Sequence, residues 1–225
     1  MNDAMPSSEV PDDDNSFGRR TVLAALLTGV AGFLDAVGYV QLGQLYVSFM
    51  SGNSTHLGIA FATEQWHGAV GVCAIIGAFV AGAAIGTAIG DASNRNLHIN
   101  VIAAELILFL VAILLTIADY SGPALALISV AMGMQNVLHQ RIAGADIGKS
   151  FITGALFALG QSLARIFRRR DAAVQAAENA LSWVSFVVGA VLGAITLAHM
   201  GLTGSLVAGA ALLCVLGILI VAGWT

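Results

Sequence analysis

The residues best suited to chemistry are Asp35 and the polar run Ser51, Gly52, Asn53, Ser54, Thr55 and His56, because both lie inside the first strongly apolar region of the chain. In hydrocarbon, irregular polar backbone survives only where it is buried in protein or lines a wet cavity. A carboxylate at the centre of a span costs about 2.5 to 3.5 kcal/mol on insertion scales, so Asp35 is a candidate functional group by default. Two roles fit it: a proton, cation or ion-coupling site, or a cap that accepts N–H bonds from a following half-helix and never changes charge. The Ser51 to Thr55 run reads as such a helix start, with good N-cap residues and a glycine at which the chain can turn. Its unpaired N–H groups and positive dipole end would favour an anionic or carbonyl group of a ligand. His56 follows Gly52 by one turn, within reach of Asp35 or a ligand. In the second half of the chain Gln135, Asn136 and Thr153 are the matching polar groups. Together, Asp35, Ser51, Gly52, Asn53, His56, Gln135, Asn136 and Thr153 form the candidate substrate-binding set. Bonding between helices without a ligand is the alternative for Gln135 and Asn136.

Other chemistries find no footing. No HxxxH, HExxH or CxxC pattern is present, so no metal or other cofactor is expected. Neither a Ser-His-Asp spacing, a P-loop nor a dinucleotide fingerprint occurs, and the chain is not read as an enzyme, the weaker option being intramembrane use of Asp35 with His56. Without a basic, aromatic-interleaved surface there is no expectation of nucleic-acid binding. Cys73 and Cys214, far apart in apolar runs, read as small buried packing residues. Glu105, about one turn inside its span, is expected to look toward the membrane interface.

The elements that must hold these residues are membrane helices. Of the 225 residues 58% are hydrophobic and 10% charged, against about 25% charged in soluble domains. Residues 1–18 are polar and acidic and are expected to be a disordered cytoplasmic tail; residues 19–224 form a single transmembrane helical domain. Arg19 and Arg20 read as the basic flank of a first helix and not as a twin-arginine export signal, since no cleavage site follows. Runs near the ~20 residues a crossing needs give six spans: Thr21 to Val40, Gly68 to Gly90, Asn100 to Ala118, Pro123 to Leu138, Ser182 to Ala198 and Leu202 to Gly223. Ala78, Gly82, Gly86 and Gly90 form a small-residue stripe for close packing inside the chain or against a second copy. Leu45 to Thr63 and Ser150 to Ile166 are shorter or more polar, and read as broken or re-entrant segments.

These two segments expose an internal repeat. SFMSGNSTHLG (Ser48 to Gly58) aligns with SFITGALFALG (Ser150 to Gly160) at an offset of 102, GFLD (Gly32 to Asp35) aligns with GMQN (Gly133 to Asn136), and the glycine pairs of the second and fifth spans correspond at an offset of 107. The halves run from about 21–118 and 122–223. With six spans, all nine basic residues fall on the side of the N-terminus and the halves are inverted; eight spans would split the basic residues and make the halves parallel. Asp35 faces Asn136 in the alignment, an amide that cannot titrate, which fits a capping role slightly better.

The run G-F-L-D-A-V-G-Y (Gly32 to Tyr39), the M-S-G-N of Met50 to Asn53 and the L-G of Leu57 and Gly58 resemble the signature of the YoaK-like family of bacterial transmembrane proteins. Ser51 stands where that family usually has Thr. The resemblance implies a polytopic inner-membrane protein of about six spans and supplies no substrate. From the residues, the expected function is a small-solute transporter or channel-like permease for a polar or anionic solute. The rival is a non-transporting scaffold or accessory subunit that uses its glycine faces to pack with partners or a second copy. Both place the chain in the bilayer of the bacterial cytoplasmic membrane with its N-terminus inside.

Overall fold

The computed structural model describes residues 13–92, 97–143, 151–169 and 171–224. All described elements are helical: α1 (Asp13–Gln41), α2 (Met50–Ala62), α3 (Trp66–Ala92), α4 (Leu97–Ile117), α5 (Ser121–Ala143), α6 (Phe151–Arg165) and α7 (Ala172–Leu219), closed by a π-helical turn (Ile220–Trp224). Helix α1 begins at Asp13, so it includes the last residues of the stretch expected to be tail, whose residues 1–12 lie outside the described residues. Five of the helices are long and apolar enough to cross a membrane.

The fifth of these cannot be one crossing. Its 48 residues would span about 72 Å at 1.5 Å per residue, more than twice the ~30 Å hydrocarbon core. Gly201 breaks it with φ 66 and ψ −174. On one side of the break Gly193 sits against the Phe33 carbonyl, and on the other Gly209 packs against the Leu34 side chain, so both arms pass the same level of α1. Residues 172–200 and 202–219 are thus two arms that double back at Gly201.

Relative directions follow from which residues meet. The first arm of α7 runs parallel to α1: Thr21 bonds Glu178 (3.1 Å), Gly189 lies on the Gly29 carbonyl and Gly193 on that of Phe33. Helix α3 runs parallel to α5, with Gly82 on the Val130 carbonyl and Gly86 on Met134. In contrast, α5 is antiparallel to α1, because Ser129 reaches Val47, which lies against Gly38 in the C-terminal part of α1, while Leu27 and Ala31 share a cavity with Gln135 and His139. The second arm of α7 lies antiparallel to α4, with Thr203 bonded to Thr116 (3.0 Å) and Gly217 next to Ile102.

Glycines permit these contacts. A Cβ at Gly32, Gly82, Gly133, Gly189 or Gly193 would collide with a carbonyl oxygen of the facing helix. The stripe on α3 is therefore filled from within the chain, by α5 at Gly82 and Gly86 and by Leu97 of α4 at Gly90, as small-residue interfaces in membranes are. Cys73 and Cys214, expected to pack inside, are instead exposed, on outward helix faces where lipid is as good a neighbour as protein. Other outward positions carry Val70, Ile107, Leu110, Leu114 and Val191, the apolar coat a bilayer requires.

Candidate functional site

Helix α1 ends through Gly43 and Gln44, both at positive φ, with the Gln44 N–H on the Tyr39 carbonyl. The chain then folds back along α1: Val47 packs on Gly38, and Ser48 reaches Asp35, six residues, or about 9 Å, before the helix end. Asp35 is 2% exposed. Its Oδ1 accepts the Ser48 N–H (2.7 Å) and its Oδ2 the Ser48 hydroxyl (2.7 Å). Asn53, fully buried, clamps the same loop: its Nδ2 donates to the Tyr46 carbonyl (2.7 Å) and its Oδ1 accepts the Tyr46 N–H (2.9 Å). Ser129 of α5 closes the knot, its hydroxyl 3.1 Å from the carbonyl oxygens of both Val47 and Ile75.

This arrangement corrects the sequence reading of the helix start. Helix α2 begins at Met50 with Phe49 at the N-cap and no side-chain cap bond. Ser54 and Thr55 bond back to the carbonyls of Met50 and Ser51 within the helix, and Asn53 bonds to the loop ahead of it. Asp35 binds the residue just upstream of α2, so a carboxylate already stands beside the end where an anionic solute was expected.

The remaining candidates divide. Ser51 and Thr153 are exposed, Gly52 is packed under the rings of Phe49 and Tyr46, and His56 is half-buried on α2; Asp35 takes its side-chain bonds from Ser48 and not from His56. Gln135 and Asn136 lie elsewhere, on the face of α5 toward α1. With Leu27, Ala31, Met132 and His139 they line a cavity of about 10 Å³, room for about one water molecule. Asn136 donates to the Met132 carbonyl (3.1 Å), whereas the buried Nε2 of Gln135 has no protein partner. The eight candidates are therefore not one site but a closed knot, a small and mostly apolar cavity edged by Gln135 and Asn136, and surface positions.

Sequence reasoning missed three contributors. Ser48 was visible only as a repeated residue, and Tyr46 takes part through its backbone, which no side-chain motif reveals. Glu105 was expected at the interface but is 1% exposed, with neither carboxylate oxygen bonded. Among the described residues no group of His, Cys, Asp or Glu is arranged to hold a metal.

The model of the family described as "Protein of unknown function (DUF1275)" matches residues 23–219, which cover the knot, the cavity and every long helix. The chain belongs to the DUF1275 family. Among curated relatives, a UPF0700 transmembrane protein, YoaK of Bacillus subtilis (strain 168), is 27% identical over 188 residues, covering 78% of this chain and 83% of the relative. The UPF0700 transmembrane protein RA0705 of Rhizobium meliloti (strain 1021) is 30% identical over 182 residues, covering 80% and 76%. Both names describe transmembrane proteins, in agreement with the apolar helices found here and with the YoaK-like resemblance of residues 32–58. No solved structure matches the chain. Membership thus fixes a multi-pass membrane protein and leaves its activity to be argued from the site.

Proposed function

We propose that the protein is a small-solute permease of the bacterial cytoplasmic membrane, built from two related halves of opposite orientation that cross the bilayer six times in all. The relation between halves is supported by paired contacts. Gly32 meets the Phe186 carbonyl as Gly133 meets that of Phe79; Gly189 meets Gly29 as Gly82 meets Val130; Gly193 meets Phe33 as Gly86 meets Met134. Members of these pairs differ by 101 positions in α1 and α5 and by 107 in α3 and α7, the spacings of the sequence repeat. Because α1 and α3 run oppositely, the knot and α2 return to the side they left, as a re-entrant segment does; α6 stands at the corresponding place in the second half. Arg19 and Arg20 share an end of the bundle with Arg165, Arg168 and Arg169, which the positive-inside rule puts in the cytoplasm.

The observation that carries transport is the polar edge of the cavity between the halves: Gln135, Asn136 and His139 beside Leu27 and Ala31, with the buried Nε2 of Gln135 left without a protein partner. A packing interface would bond that amide internally, since each buried unsatisfied group costs about 1 to 3 kcal/mol. Amides and an imidazole suit a polar, uncharged solute. In the closed arrangement the cavity admits only water, so passage requires the halves to part around it. The test is counterflow in proteoliposomes with a panel of small polar solutes; Gln135→Ala lowers the flux at least about tenfold, the effect of removing one binding bond of about 1.4 kcal/mol. Failure of every solute to cross faster than in protein-free vesicles overturns the reading. A second reading, a scaffold, draws support from the completely bonded Asp35 knot, which holds the fold without any need for a ligand.

A further inference from the structure

The polar group left unused by the knot and by the cavity is Glu105. Of the four glutamates in the sequence it alone is buried among the described residues, and both of its oxygens lack a partner. It stands twelve residues before the end of α4, about 18 Å from the turn that joins α4 to α5, while Gln135 stands fourteen residues past the start of α5, about 21 Å from the same turn. The two unsatisfied side chains thus lie at similar depth on helices that pack together. Depths of 18 to 21 Å counted from that turn lie beyond the midplane of a ~30 Å core and short of its far edge.

An unpaired carboxylate in such a place is very costly. Four ways of removing the cost can be compared. An ion pair needs a cation, and the elements packed against α4 supply few. On α3, His67, Cys73 and Asp91 are exposed; on α7, His199 and Cys214 are exposed and Glu178 is bonded to Thr21. Residues 220–224 carry no titratable side chain. On α4 itself His98 lies two turns away, and on α5 His139 lines the cavity, the side chain of Arg141 lying outside the described residues. A metal cation needs a shell of oxygen donors, and the donor set here is one carboxyl. A hydrogen-bonded cap like that of Asp35 is absent. A proton needs only one carboxyl oxygen.

We propose that Glu105 is a proton-binding site in the interior of the bundle, and that it exchanges its proton when α4 and α5 shift to admit water from the Gln135–Asn136–His139 cavity. Releasing the proton creates a charge that must then be met by the Gln135 amide, by His139 or by water. Proton release and opening of the cavity are therefore one event. The role as a coupling proton rests on the permease reading; the site itself does not.

Infrared spectroscopy of the protein in lipid, grown with carboxyl-labelled ¹³C-glutamate, tests it. A carbonyl stretch of an un-ionised carboxyl should shift with the glutamate label, shift again on exchange into D₂O, survive in Asp35→Asn and vanish in Glu105→Gln. Because the isotope arm uses the wild-type chain, it decides the matter even where Glu105→Gln fails to fold. Absence of a glutamate-derived acid band from mildly acidic to alkaline pH overturns the site, and so does a band that never exchanges with D₂O. A band that behaves as expected in a protein that moves no solute upholds the site and overturns the permease.

Discussion

Each oxygen of Asp35 is bound to Ser48, so the carboxylate functions as a clasp that holds the loop ahead of α2 against α1. Asp35→Ala strands two buried donors and is expected to cost about 2 to 4 kcal/mol, whereas Ser48→Ala removes one bond to the carboxylate and costs about 1.5 to 3. Because the two act as a unit, the double variant should lose less than the sum. Thermal unfolding in detergent, read for the four proteins of that cycle, checks this; additive losses would show that the clasp is not a unit. Asn53→Ala removes both bonds to the Tyr46 backbone and should cost about 2 kcal/mol by the same measurement. Asp35 and Asn53 were legible in the sequence because a polar residue in an apolar run demands a partner. Their partners were not, since the partner of Asn53 is backbone, and Ser48 looks like any serine in a loop. Glu105 was misread for another reason. Distance from a span end gives only a rough depth, and it says nothing about which way a side chain faces.

At the level of elements, the close approach of α3 to α5 and of α1 to α7 depends on glycines that touch carbonyl oxygens. The same substitution should therefore have opposite results at two kinds of position. Gly82→Val and Gly189→Val force helices apart and should cost about 3 kcal/mol, while Gly71→Val and Gly77→Val, with nothing near the added carbon, should leave the melting temperature within a few degrees of the parent. Equal effects at all four positions would contradict the packing. Helix lengths could be read from hydropathy because the bilayer sets them. Which face looks inward could not, because a membrane helix is apolar all round, and lipid and core ask for similar side chains. That is why Cys73 and Cys214 were misplaced, while the four-residue glycine stripe gave the inward face of α3 correctly. The ends of α2 and α4 were legible to within one residue from the fall in hydropathy, at Thr63 and Ala118, although Glu64 and Asp119 turn there at positive φ where glycine is the usual signal.

For the whole molecule, the proposed inverted halves would place the turns at Glu64 and Asp119 on one side of the membrane and Arg19 and Asp91 on the other, all four being exposed. Cysteines at these positions, in a background lacking Cys73 and Cys214, should label with a membrane-impermeant maleimide from the outside at 64 and 119 only. Labelling of 91 from the outside would instead fit eight crossings and parallel halves. The permease itself requires more than topology, because the narrow cavity between α1 and α5 must at times widen and be wet. Single cysteines at Ala31 and Asn136, compared with a control at fully buried Ala112, measure this without knowledge of the solute. A permease predicts that 31 and 136 react with the impermeant reagent in membranes while 112 stays silent; positions 31 and 136 as unreactive as 112, from either side, would contradict it.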